Sequence, residues 1–246
     1  MRHVKLLTAL VFTCFSIFTQ AETVKLTSLD WPPYTGKGLK DNGASVAVAK
    51  AAFEAVGHTL VVEFYPWKRA VNLAKDDPGY DGYFPEYYAE ELKQDFILSA
   101  PMGSGPLGFA ELKDKPVSWN SIDELVKFRI GVVSGYVNTA SFDDMVAQGK
   151  IKASEASDDS KNLLKLAAGR VDMAVVDKNV LTYLLSSDPQ LKPVASKIQF
   201  NSHLLEDKSL YICFKKGPKG EKLAKEFNEG LGKIDIEGIM SSYLGQ

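Results

Sequence analysis

The stretch YPWKRAVNLAKDDPGYDGYFPEYYAEELKQDFILSAPM, residues 65–102, decides how this chain is read. After Pro66 the apolar residues Trp67, Ala70, Val71 and Ala74 fall on one face at helical spacing, which predicts an amphipathic helix over 67–75. Pro78 and Gly79 stop that helix in a tight turn, and residues 80–84 read as a short strand. Next comes a loop over 84–88 crowded with aromatic rings and a carboxylate. Such a loop is costly to keep unless something binds there.

Working outward towards the N-terminus, residues 23–29 alternate apolar and polar like a strand, and Asp30-Trp31-Pro32-Pro33-Tyr34 ends it in a loop that no helix could continue. Residues 45–56 are helical in spacing, with Gly57 placed as a C-cap, and 60–65 are β-branched and aromatic. Strand, helix and strand in this order favour a parallel sheet. Towards the C-terminus, 96–100 and 107–112 read as extended, and Lys113-Asp114-Lys115-Pro116 is a polar turn placed here as a lobe boundary.

The first pattern then repeats. A strand over 128–133 ends in Ser134-Gly135-Tyr136 and a helix follows over 139–148. A second helix over 161–168 is capped by Gly169, and MAVV leads to Asp177. A strand over 209–216 and helices over 221–231 and 237–244 finish the chain. The expected fold is α/β and two-lobed, with two parallel-type sheets joined by a two-strand hinge. Residues 22–112 and 208–246 form one lobe and 113–207 the other. Ligands of open α/β sheets sit beyond the carboxyl ends of the strands. Trp31, Trp67 and the 84–88 loop should therefore meet Ser134, Tyr136 and Asp177 across one cleft.

The N-terminus sets the compartment. MRHVK is a short basic segment before the apolar run LLTALVFTCFSIF, and Thr19-Gln20-Ala21 offers a small residue for cleavage. Residues 1–21 are read as a secretory signal peptide that sends the protein to the periplasm, with a retained anchor as the bland alternative. Lys and Arg total 29 against 31 Asp and Glu, without a basic block, so nucleic acid is not an expected partner. Of the two cysteines, Cys14 lies in the leader and Cys213 in a strand, so no disulfide is expected.

These marks together resemble the periplasmic solute-binding proteins of the polar amino acid type, family 3, which feed ABC importers. The likeness rests on WPPY after the first strand, EEL..DFILSAPM, the pair FRIGVVSGY and AAGRVDMAVVD, and the ending IEGIMSSYLG. YPWKRA with YDGYFPEYY is similar to an orphan branch of that family. The resemblance implies that Trp31 and Trp67 sandwich a ligand and that Phe84, Pro85 and Tyr87 form its contact loop. It also implies that Tyr136 stands where a threonine commonly holds the ligand carboxylate, and that Asp177 holds its ammonium group. One departure stands out. Leu92 occupies the place of the arginine that forks onto the carboxylate, which leaves Arg69 or Lys93 as a candidate point charge. Glu86 is a further candidate in the same loop.

Other chemistries lack a pattern. Gly103 to Gly108 matches GxGxxG by letter but opens no helix. There is no GxSxG elbow, and His58 and His203 have no metal-ligand spacing, so neither a metal nor a cofactor is expected. The sequence therefore reads as a monomeric, non-enzymatic binder of a small polar or amino-acid-like solute, delivering it to an ABC permease or membrane receptor. The alternatives are an enzyme on the same scaffold, resembling cyclohexadienyl dehydratase, and a sensor input acting through a partner.

Overall fold

The computed structural model describes residues 21–245. The leader read over residues 1–21 lies, apart from Ala21, outside the described residues. Among those described, no helix is long and apolar enough to cross a membrane.

The first strand-helix-strand unit is β1 (Thr23–Ser28), α1 (Ala44–Glu54) and β2 (Thr59–Phe64). α2 (Trp67–Asp76) then leads into β3 (Gly82–Tyr87). β1 pairs in parallel with both β2 and β3. α1 buries Val46, Val48, Ala49, Ala52 and Phe53, and α2 turns Trp67, Ala70 and Ala74 inward. Apolar spacing thus decided both faces.

The second half repeats this arrangement. β6 (Arg129–Val133) pairs in parallel with β7 (Lys152–Ala156) and β8 (Met173–Asp177). α3 (Ala140–Ala147), α4 (Asp159–Ala167) and α5 (Lys178–Ser187) accompany them. Thr139, Asp158 and Asp177 cap these three helices with side-chain oxygens that accept backbone N–H groups.

Two long antiparallel strands join the halves. β5 (Ser104–Leu112) runs outward and β10 (Glu206–Lys215) runs back, paired over Ser104–Leu107 and Glu206–Ser209. β10 then pairs antiparallel with β3 and with β4 (Phe96–Leu98), and β5 with β8 and β9 (Ile198–Phe200). The two parallel sets become one curled mixed sheet in the order β2-β1-β3-β10-β5-β8-β6-β7. β5 already meets β8 at Leu107, so the outward crossing precedes Lys113 to Pro116, where the Leu112–Lys115 bridge is a local turn.

α6 (Pro218–Leu231) and α7 (Ile236–Leu244) pack back onto α1. Phe53 lies at the centre, with the Phe227 ring tilted against it at 4.9 Å and Phe214 edge-on at 6.3 Å. β3 continues beyond the expected 80–84 strand. Every one of its residues is buried, because β1 lies along one edge and β10 along the other. Gly82 permits this approach, since a Cβ there would overlap the Cys213 carbonyl.

Candidate functional site

A cavity opens where β1 and β3 end and α2 begins. The first half supplies Leu29, Trp31, Trp67, Pro85, Glu86 and Tyr87, β10 supplies Leu210, and the loop after β6 closes it with Tyr136 and Val137. The void is only about 20 Å³, room for one or two waters. The halves are shut.

Direct contacts hold them so. The Trp67 indole Nε1 donates to the Gly135 carbonyl at 2.9 Å, and its ring meets Tyr136 edge-on at 5.8 Å. The Tyr34 hydroxyl stands 3.2 Å from both oxygens of Asp177 and accepts from Asn179 Nδ2 at 2.8 Å. Trp31 stacks on Tyr34 at 4.6 Å and meets Tyr87 edge-on. Gly105 on β5 allows Tyr34 and Asp177 to meet, since a Cβ there would overlap both. Gly105→Ala is expected to hold the halves apart, enlarging the radius of gyration in solution scattering and costing about 1–3 kcal/mol of stability.

Three carboxyl groups are buried around this cavity. Glu86 accepts from the Tyr87 backbone N–H at 2.9 Å and the Tyr83 hydroxyl at 3.1 Å. Burial nevertheless pushes its pKa up to about 8. Asp177 accepts from the backbone N–H groups of Asn179 and Val180, yet burial raises it to about 7. Asp159, facing the Tyr136 hydroxyl at 3.3 Å, is also raised by burial to about 7. The phenols of Tyr87 and Tyr136 are pushed far up by the same loss of water and stay protonated. The Trp31 indole N–H, on a residue 7% exposed, faces Asp159 and favours its ionised form without completing a hydrogen bond.

Of the residues expected at a site, Trp31, Trp67, Glu86, Tyr87 and Tyr136 line the cavity, and Asp177 adjoins it through Tyr34 and Tyr87. Three others are not brought there. Arg69 is exposed on the outer face of α2 with its guanidinium over the Tyr65 ring, because Trp67, Ala70 and Ala74 take the inner face. Phe84 alternates into the core, its carbonyl accepting from Ser28. Ser134 turns away to donate to Glu155. Leu92 packs on the core, and Lys93 pairs with Glu90 in solvent. Tyr34, Asn179 and Asp159 were missed. Tyr34 sits in the WPPY loop already singled out, whereas Asp159 resembles one more acid at a helix start.

No protein-family model and no curated protein matches the sequence, but solved structures match over most of it. A histidine kinase sensor domain with similarity to periplasmic binding proteins matches at a TM-score of 0.76 and 18% identity, covering 91% of this chain and 96% of that one. An ancestral arginine-binding protein bound to arginine matches at 0.72 and 18%, covering 90% and 96%. A Streptococcus pneumoniae amino acid ABC transporter substrate-binding protein bound to L-arginine matches at 0.69 and 15%, covering 90% and 94%. The chain has the type II periplasmic-binding-protein fold. In these terms the two halves are lobes, β5 and β10 are the crossing strands, and the cavity lies in the cleft between the lobes.

Proposed function

We propose that the chain is a periplasmic solute-binding protein that takes a small polar solute into the interlobe cleft and presents the closed form to an ABC importer or a membrane receptor. One observation carries this reading: aromatic rings from both lobes line one cavity at the strand ends, buried carboxyls of both lobes lie in or beside it, and the contacts that shut the lobes, Trp67 with Gly135 and Tyr34 with Asp177, are made by or next to its walls. Binding and closure are then one event, and a ligand favours closure by its differential affinity for the closed state. The neighbouring structures bound to arginine support a nitrogen-rich solute. The mature protein is a monomer in this reading.

Thermal shift against amino acids, amines, small peptides and aromatic acids tests it. A ligand at a hundredfold its dissociation constant adds about 2.7 kcal/mol of stability. Trp67→Phe removes the hydrogen bond to Gly135 while keeping a ring, and is expected to weaken ligand binding by roughly 1 kcal/mol, about fivefold. A broad library that neither shifts the melt nor compacts the protein in scattering would sink the proposal.

An enzyme on the same fold keeps one specific support. Glu86, with its pKa near 8, is protonated at neutral pH and faces the cavity as a general acid would. Turnover of prephenate or arogenate, lost in Glu86→Gln, would replace binding as the function.

A further inference from the structure

We propose that the cleft selects a primary alkylammonium cation that carries no carboxylate. This rests on the solute-binding reading and names its ligand class.

Three acids meet at the cleft from three elements: Glu86 on β3, Asp159 at the start of α4 and Asp177 at the end of β8, each at most 6% exposed. Their hydrogen-bond donors are phenols and backbone N–H groups. Among the described residues, no lysine or arginine side chain donates to any of them. Asp159 accepts one phenol hydrogen bond and has the Trp31 indole N–H turned towards it, although a carboxylate has about four acceptor sites.

The surrounding charges do not redress the balance. Lys208 on β10 is the cation facing Glu86, but its ammonium lies 3.4 Å from Glu206 and 5.6 Å over the Tyr87 ring. Asp143 faces Glu86, Asp158 faces Asp159, and Asp207 faces Tyr34, all adding negative charge. A ligand carboxylate would make ionisation of these acids still less favourable and would find no guanidinium. An ammonium group would find unpaired acceptors on both lobes.

The walls agree. Trp31, Trp67, Tyr87 and Tyr136 present rings suited to a cation. The Tyr87 and Tyr136 hydroxyls donate hydrogen bonds to Asp177 and Asp159, which leaves their ring faces to the ligand. The Trp31 indole, whose ring lines the cavity, turns its N–H towards Asp159 without completing a hydrogen bond, so that acid keeps acceptor capacity for a ligand. The void, with room for one or two waters, matches only the smallest such cations, and a longer amine requires the lobes to part.

Calorimetry on the signal-free chain with methylammonium, butane-1,4-diamine, butane-1,4-diol and ornithine tests the assignment. The two amines are expected to bind, the diol and ornithine at least about tenfold more weakly than the diamine. Each carboxyl must lose its proton to pair, so amine affinity should rise about tenfold or more from about pH 6 to about pH 8.5, with proton release into the buffer. Asp159→Asn should lower amine affinity with the fold intact by circular dichroism, and Lys208→Ala should raise it. Ornithine binding tighter than the diamine, or the diol equalling it, would overturn the ligand class and leave a solute-binding protein. If none of the four binds while another solute compacts the protein, the class also falls and the binding reading survives. If no solute compacts it, both fail.

Discussion

Raising the pH from about 5 to about 9 is expected to open the unliganded protein, with a larger radius of gyration in scattering and red-shifted tryptophan emission as Trp31 and Trp67 meet water. In the closed form Glu86 is raised to about 8, and Asp159 and Asp177 to about 7. An open cleft hydrates all three and returns them towards ordinary carboxyl values. Below about pH 4 the groups are protonated in both forms, and closure carries no electrostatic penalty. As the pH climbs the open form ionises first, so the closed form loses ground until about pH 8, after which the penalty is constant. Each unit of difference is worth about 1.4 kcal/mol, so the three groups together move the equilibrium by several kcal/mol. The sign is opposite to that of a salt-bridged carboxylate. Glu86→Gln together with Asp177→Asn should flatten the profile, and an unchanged radius across the range in the natural sequence would refute it.

The second large effect lies far from the cleft. Phe53→Ala is expected to cost about 3–5 kcal/mol, because it empties a site enclosed by α1, α6 and β10 that no neighbour can refill. Phe53 is fully buried and touches Phe214, Phe227 and His58. For a chain of this size that loss lowers the melting temperature by roughly 6–20 °C, read by circular dichroism. Ligand affinity of the surviving folded protein should stay near normal, since α1 lines no part of the cavity and touches the cleft loop only through the backbone N–H groups of Ala44 and Ser45 at its far end. A drop below about 1 kcal/mol would mean that the helices close over the gap.

Much of the fold was legible because burial imposes a period. β1, α1 and α2 each alternate or repeat at the spacing their faces require, β2 shows in its β-branched and aromatic residues, and the second strand-helix series could be matched to the first. β3 was harder. Its rings and acid look like an exposed loop until β10 is laid beside it, when Tyr83 and Glu86 satisfy one another inside the sheet. β7, KASEA, carries too few apolar residues to announce a strand, and sits at the sheet edge where few are needed.

At the site, rings standing at strand and helix ends were found, because loops there must face the cleft. What could not be read is direction and reach. Tyr34 meets Asp177 across 143 positions, a contact that no local pattern encodes. Asp158 and Asp159 are indistinguishable as letters, yet the first caps α4 through Lys161 and the second turns to Tyr136. Arg69 is two residues from Trp67 and thereby points outward.

Cys213 has a practical use. It is the only cysteine among the described residues, wholly buried on β10, and its thiol is pushed well up by burial, which withholds the reactive thiolate. Maleimide dyes should ignore it. In the chain without residues 1–21, exposed positions on the two lobes, such as Lys37 and Ser157, can therefore be changed to cysteine and labelled as a donor-acceptor pair without first removing a native thiol. The chain is, in effect, already prepared as a fluorescent reporter of whatever solute closes it.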